Sequence, residues 1–145
     1  MYSKEVKDMA DYQEYVAEAK QLLALATSVD GQPSIRVVGF GQDAKQPNRF
    51  YIVSKPTATK IEELKQNEQV AFTTLPGAGG KRMSSNQAVA KISDKQWSDI
   101  EPLFADNPGW HAGHPEPETE TIIELTFESV LLDSFVEAPE SISFN

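Results

Sequence analysis

The chain has 145 residues, with 13 basic and 22 acidic side chains, a formal net charge of −9 and no cysteine. This length predicts one domain, residues 1–145, whose core needs no covalent cross-link. The lack of cysteine excludes disulfides, thiolate metal sites and cysteine nucleophiles. The acidic balance argues against a nucleic-acid partner, because such binding depends on neutralising phosphates.

Two features of the sequence bear on location. No apolar run approaches the roughly 20 residues that a membrane-spanning helix needs. The N-terminal residues Met1–Glu5 lack the apolar core of a secretion signal. We therefore expect a cytoplasmic protein with no membrane partner.

Basic residues are concentrated in the middle of the chain. Residues 31–95 contain ten basic and five acidic side chains, whereas residues 96–145 contain eleven acidic side chains and no lysine or arginine. A basic region in an acidic protein favours a small anionic ligand over a polyanion. The alternative is an uneven scatter of surface charge.

The first third of the chain predicts a helix followed by strands. Apolar residues recur on one helical face over Asp8–Leu25, and Leu25–Val29 then reads as a strand that ends at the hairpin signal Asp30-Gly31. The β-rich runs Ile35–Phe40 and Arg49–Val53, separated by a polar loop, predict an antiparallel hairpin.

The next segment, Ser54–Lys60, connects a strand to a helix. Thr59 and Glu62 have the spacing of a capping box. Hydroxyl groups, free backbone N–H groups at a helix start and the two lysines Lys55 and Lys60 together predict an anion site, to which Arg36 could contribute. The alternative is that the hydroxyls are ordinary caps and the lysines a solvated face.

The second half of the chain completes a mainly β (α+β) fold. The predicted elements are strands at Gln69–Leu75, Lys81–Ile92, Thr119–Phe127 and Val130–Val136, a helix that begins after Ser93 or Asp94, an irregular loop at Ala105–Glu118 and a loosely held tail from Glu137. About six antiparallel strands with helices at their connections predict a six-stranded antiparallel split barrel with peripheral helices.

The segment His111–Glu116 contains two histidines and a glutamate, which could be read as a metal site. Its glycines and prolines provide no rigid frame, so a mobile surface loop is preferred and no metal is expected. The sequence shows no serine–histidine–aspartate grouping and no distinguishable acid–base pair. Any redox chemistry must therefore come from a cofactor.

These motifs resemble the FMN-binding split barrels related to pyridoxamine 5′-phosphate oxidase. The residues that carry the likeness are Pro33-Ser34-Ile35-Arg36, the strand Phe50–Val53 that ends in Ser54, and Lys60. The resemblance spans about Leu22–Phe135. It implies that Arg36, Ser54, Lys55, Thr59 and Lys60 surround the phosphate of FMN, that Val37 and Val38 lie against the isoalloxazine ring, and that Trp110 lies near the ring from a loop of the partner subunit. Trp110 could instead be a packing anchor.

The resemblance also implies a function. It points to a flavin-dependent oxidoreductase of unknown small-molecule substrate, or alternatively to a non-catalytic module that binds or senses flavin or haem. The founding enzymes end in a basic, aromatic segment, whereas Val136–Asn145 has no basic residue. The chain is therefore more similar to the short general-stress or reductase-like relatives than to the vitamin-metabolising enzymes.

The expected assembly is a homodimer with its flavin sites at the interface. A small barrel is filled by its own side chains, so a ligand must lie outside it, where a second subunit can cover it. Apolar residues in Phe50–Val53, Val70–Leu75 and Ile122–Phe127 exceed what one barrel interior requires. They predict a buried outer face, although a helix could also cover it.

Overall fold

The computed structural model of the protein describes residues 3–144. Within this range the chain forms four α-helices and nine strands, in the following order: α1 (Lys4–Glu18), β1 (Leu22–Val29), β2 (Gln32–Gly39), β3 (Gly41–Gln42), β4 (Arg49–Ser54), α2 (Thr59–Gln66), β5 (Gln69–Thr74), β6 (Arg82–Ile92), α3 (Trp97–Ile100), α4 (Pro108–Gly113), β7 (Thr121–Phe127), β8 (Ser129–Asp133) and β9 (Glu140–Ser143). None of these helices is long and apolar enough to cross a membrane.

The strands form one curled antiparallel sheet. Its order is β2-β1-β5-β6-β7-β4-β3, and β8 pairs with both β6 and β9. The mainly β, antiparallel split-barrel prediction with peripheral helices is confirmed, with nine strands in the described residues rather than six. The two shortest strands, β3 and β9, have two and four residues, which is too short for an alternating pattern to reveal them.

The N-terminal part confirms one local prediction and corrects another. Asp30 and Gly31 both have positive φ angles, 51° and 80°, and they connect β1 and β2 as a tight hairpin. The predicted helix over Asp8–Leu25 is too long at its C-terminal end, because α1 ends at Glu18. Lys20 and Gln21 then adopt positive φ angles and β1 begins at Leu22.

The predicted hairpin between Ile35–Phe40 and Arg49–Val53 is wrong in its pairing. Within residues 3–144, β2 pairs with β1 alone, and β4 pairs with β3 and β7. The chain leaves β2 after Gly39 and forms the two-residue strand β3, which pairs with Phe50 and Tyr51. This leaves β2 as an edge strand of the sheet.

A second apolar cluster covers the outer face of β4 and β7. Tyr51, Val53 and Ile122 pack there against Ile100, Phe104 and Trp110 from the helical segment between β6 and β7. The apolar excess noted in these strands is therefore buried by helices of the same chain. A second subunit is not needed to explain it.

Two segments are more ordered than the sequence predicted. The predicted irregular loop Ala105–Glu118 contains α4 and a 3₁₀ turn at Pro117–Thr119. The predicted loose tail contains β9, which pairs with β8 and buries Ile142. In both cases contacts with distant residues supply the order that the local sequence does not show.

Candidate functional site

A cleft of about 290 Å³ lies where the ends of β2 and β4, the start of α2 and the end of α4 meet. Its lining residues are Val37, Val38, Gly39, Val53, Ser54, Lys55, Ala58, Lys60, Gly113, His114 and Glu120. The structure therefore brings together five of the predicted site residues, which are Val37, Val38, Ser54, Lys55 and Lys60. Arg36, Thr59 and Trp110 lie outside this lining.

Lys60 places a cation at one end of the cleft. Its Nζ donates a hydrogen bond of 2.8 Å to the buried Oγ of Ser54, the last residue of β4. Burial lowers the pKa of Lys60 below its ordinary value, and the positive charge of Arg36 lowers it further. Among residues 3–144, no carboxylate lies within salt-bridge distance of this ammonium group. Lys60 is thus a half-buried cation without a directly bound anion.

Helix α2 begins without a side-chain cap. Its N-cap residue is Ala58, and Thr59 is the exposed first residue of the helix. The capping box predicted for Thr59 and Glu62 is not formed, because Thr59 lies inside the helix rather than before it. The N–H groups of the first turn therefore receive no side-chain acceptor within the described chain, and they form the positive end of the helix dipole. The Ile61 N–H already donates to the Ala58 carbonyl at 3.0 Å.

Arg36 is held on the core side of β2. It lies opposite Leu25 across the β1–β2 pair, so its side chain shares the buried face of the sheet. Its guanidinium donates to Glu63 Oε1 at 2.6 Å, to Thr27 Oγ1 at 2.8 Å and to the Leu25 carbonyl at 3.2 Å. The partner Glu63 was missed from the sequence. Its position one turn after Lys60 on an amphipathic helix is the signal that could have revealed it.

Trp110 is a buried side chain of α4, only 7% exposed. Its ring stacks on Phe104 and His114, with centroid distances of 4.2 and 4.1 Å. Asn107 caps the helix by accepting from the Trp110 backbone N–H at 2.9 Å. The Nε1–H of Trp110 is buried and has no acceptor among residues 3–144.

The close approach of Trp110 to Gly39 leads to a stability prediction. A Cβ at Gly39 would lie 2.6 Å from Trp110 Cδ1. Because the buried ring cannot move away freely, Gly39→Ala should lower the free energy of unfolding by about 1–3 kcal/mol. Chemical denaturation measures this change. Gly113→Ala is the matched control, since a Cβ there meets nothing within 4 Å. Equal stabilities of the two variants would contradict the predicted overlap.

The two histidines have different partners. His111 Nε2 bonds to the Phe104 carbonyl at 2.9 Å, whereas His114 Nδ1 bonds to Glu120 Oε2 at 2.9 Å. No group of three or more potential metal-ligating side chains occurs in the part of the chain that the structure describes. The His114–Glu120 pair and its place in the cleft were missed from the sequence. Five residues of a segment with two prolines separate them, and local spacing gave no sign of the contact.

The sequence model of a family described as "Pyridoxamine 5'-phosphate oxidase-like" matches residues 16–133. Comparison with curated protein sequences gives no significant match. The similar solved structures include a protein related to general stress protein 26 of the pyridoxinephosphate oxidase family, from Clostridium acetobutylicum. It is 15% identical with a TM-score of 0.71, and the match covers 95% of both chains.

Two further similar structures are of proteins described as ligand-binding. A pyridoxamine 5'-phosphate oxidase-related, FMN binding protein from Nostoc punctiforme is 12% identical with a TM-score of 0.59, over 99% of this chain and 98% of that one. A heme binding protein from Mycobacterium smegmatis is 14% identical with a TM-score of 0.67, over 92% of this chain but 57% of that longer one. At these identities the likeness establishes the fold.

Proposed function

The chain belongs to the pyridoxamine 5'-phosphate oxidase-like family, and from this premise we propose that it is a flavoprotein that binds FMN in the cleft between β2, β4 and α2. The observation that carries the proposal is the uncapped start of α2 beside the Lys60–Ser54 pair. Helix N–H groups without a side-chain cap, a hydroxyl and an ammonium without a bound carboxylate among residues 3–144 are groups that can bind a phosphate monoester.

The phosphate would be bound by Lys60, Ser54 and Thr59, with Lys55 at the rim and Arg36 behind them. Arg36 retains donors beyond those used for Glu63, Thr27 and Leu25, because a guanidinium has five N–H groups. Its charge also acts on Lys60 across the buried side of the site. FMN is preferred to FAD because residues 3–144 form an antiparallel sheet without a dinucleotide-binding βαβ unit.

The ring would lie against the backbone of Val37 and Val38. Both residues line the cleft beside Gly39, against which Trp110 packs. The unpaired Nε1–H of Trp110 fits this arrangement, since a buried donor without an acceptor costs about 1–3 kcal/mol and a polar ligand nearby could satisfy it. Bound FMN would supply hydride transfer between a donor such as a reduced nicotinamide and a small-molecule acceptor.

We further propose that the protein is a homodimer with two flavin sites at its interface. The edge strand β2 exposes Ile35 and Val37 on one face, at 68% and 57%. Val37 also lines the cleft. A second copy packed on this face would bury both side chains and close the open side of the cleft.

The alternative function is a non-catalytic module that binds flavin or haem. The fold likeness to a heme binding protein favours this class. The two functions are distinguished by adding NADH or NADPH to the FMN-loaded protein in the absence of oxygen. In an oxidoreductase the nucleotide should reduce the bound FMN, so that the flavin absorbance near 450 nm is lost. A flavin spectrum that persists with both nucleotides would support the binding module.

A further inference from the structure

The imidazole of His114 is held in the cleft by two contacts that leave one ring nitrogen unused. Its Nδ1 bonds to Glu120 Oε2 at 2.9 Å, and its ring stacks on Trp110 at an angle of 15°. Because a carboxylate can only accept, Nδ1 carries the proton in this bond. Nε2 is then the remaining polar atom of the ring, and it has no hydrogen-bond partner within residues 3–144.

Glu120 places this imidazole at the Lys60 end of the cleft. Its carboxylate is only 8% exposed, and Glu120 directly precedes Thr121, the register partner of Ser54. The negative charge of Glu120 also opposes the lowering of the Lys60 pKa, so the carboxylate lies within electrostatic reach of Lys60. The imidazole, the ammonium and the Ser54 hydroxyl therefore border the same space.

The side chains around this space supply little uncompensated positive charge to balance a phosphate. Arg36 is paired with Glu63, and Glu120 offsets part of the charge of Lys60. A phosphate monoester carries between one and two negative charges near neutral pH. A protonated His114 would add a positive charge where those of Arg36 and Lys60 are already partly neutralised.

We propose that His114 is a further phosphate-binding residue of this cleft, donating Nε2–H to the phosphate of the bound cofactor. Glu120 and Trp110 are its positioning residues, because they fix the tautomer and the plane of the ring. This assignment rests on the proposed function for the identity of the cofactor.

The charged groups that surround the imidazole are Glu120, Lys60 and Lys55, with Glu116 in the adjoining hollow. His114 and the two lysines are therefore the side chains of this lining that can present positive charge to a phosphate.

The first test compares FMN with riboflavin, which lacks the phosphate. His114→Gln should weaken FMN binding about tenfold or more at about pH 6, as expected for loss of a charge-assisted hydrogen bond, and leave riboflavin binding unchanged. His111→Gln is the matched control, because that ring bonds to the Phe104 carbonyl. Unchanged FMN affinity, or an equal loss for both flavins, would overturn the proposal.

The second test does not require flavin binding. Inorganic phosphate is titrated into the wild-type protein at about pH 6, and the imidazole resonances are followed by NMR. The His114 signals, identified by their absence in His114→Gln, should shift with phosphate more than those of His111. Unmoved His114 signals would overturn the proposal. If the wild type binds neither flavin, the proposed function fails, and this titration still decides whether His114 faces an anion.

Discussion

Lys60→Met is expected to weaken FMN binding by roughly 10- to 100-fold. Lys60 lies at the start of α2, and no carboxylate among residues 3–144 is directly bound to it. Its Nζ donates a hydrogen bond of 2.8 Å to Ser54 Oγ. A hydrogen bond to a charged group contributes about 1.5–3 kcal/mol, and each 1.4 kcal/mol is about tenfold in affinity. Quenching of FMN fluorescence during titration measures the change.

The same substitution should not destabilise the free protein. The pKa of Lys60 is lowered in the folded state, chiefly by burial. The folded chain therefore holds fewer protons on Lys60 than the unfolded chain between that lowered pKa and the ordinary value of 10.5. Stability rises with pH across this window, and below it the charged lysine opposes folding. Methionine removes this opposition while keeping the apolar stem, so the midpoint of thermal unfolding should be unchanged or higher at pH 7.

Lys65→Met is the matched control for this prediction. Lys65 is exposed on the same helix and is paired with Glu62. It should leave FMN affinity unchanged, because it lies away from the helix start. Equal FMN affinities of Lys60→Met and Lys65→Met would contradict the phosphate site at α2.

Val37→Glu is expected to convert the protein to a monomer and to abolish tight FMN binding together. The exposed face of β2 carries Ile35 and Val37, and Val37 also lines the cleft. In the proposed two-fold interface a carboxylate at residue 37 would be buried against the second copy and lose its hydration, which would cost several kcal/mol. Light scattering at low micromolar concentration reports the assembly, and a parallel FMN titration reports the site.

Val6→Glu provides the control for surface charge. Val6 is a similarly exposed valine on α1, away from the cleft. It should remain dimeric and bind FMN as the wild type does. A wild-type monomer that still holds FMN tightly would refute the shared-site arrangement.

Short sequence motifs predicted those parts of the fold that depend on residues adjacent in the sequence. The Asp30-Gly31 turn requires two positive φ angles, and this dipeptide adopts them readily. Ser54 ends strand β4 and Lys60 is the second residue of helix α2, so only five residues of chain separate them and their proximity follows from the local sequence. Helix α4 also had a local signal that was not used, since Asn107-Pro108 is an N-cap followed by proline at the first helical position.

The remaining features depend on contacts between residues distant in sequence, and such contacts produce no periodic pattern in the sequence. Strand β3 exists because Gly41 and Gln42 meet β4, and two residues cannot show alternation. The Arg36–Glu63 pair joins an edge strand to a helix 27 positions later. The edge position of β2 follows from the order of the whole sheet, which short-range patterns do not determine.

An equilibrium titration of the purified protein with FMN, riboflavin and haem, followed by absorbance and fluorescence, measures directly which ligand the cleft binds. FMN should bind at one molecule per chain and more tightly than riboflavin, because its phosphate would contact Lys60, Ser54 and the start of α2. Equal affinity for FMN and riboflavin, or binding of haem without binding of FMN, would contradict the proposed phosphate site.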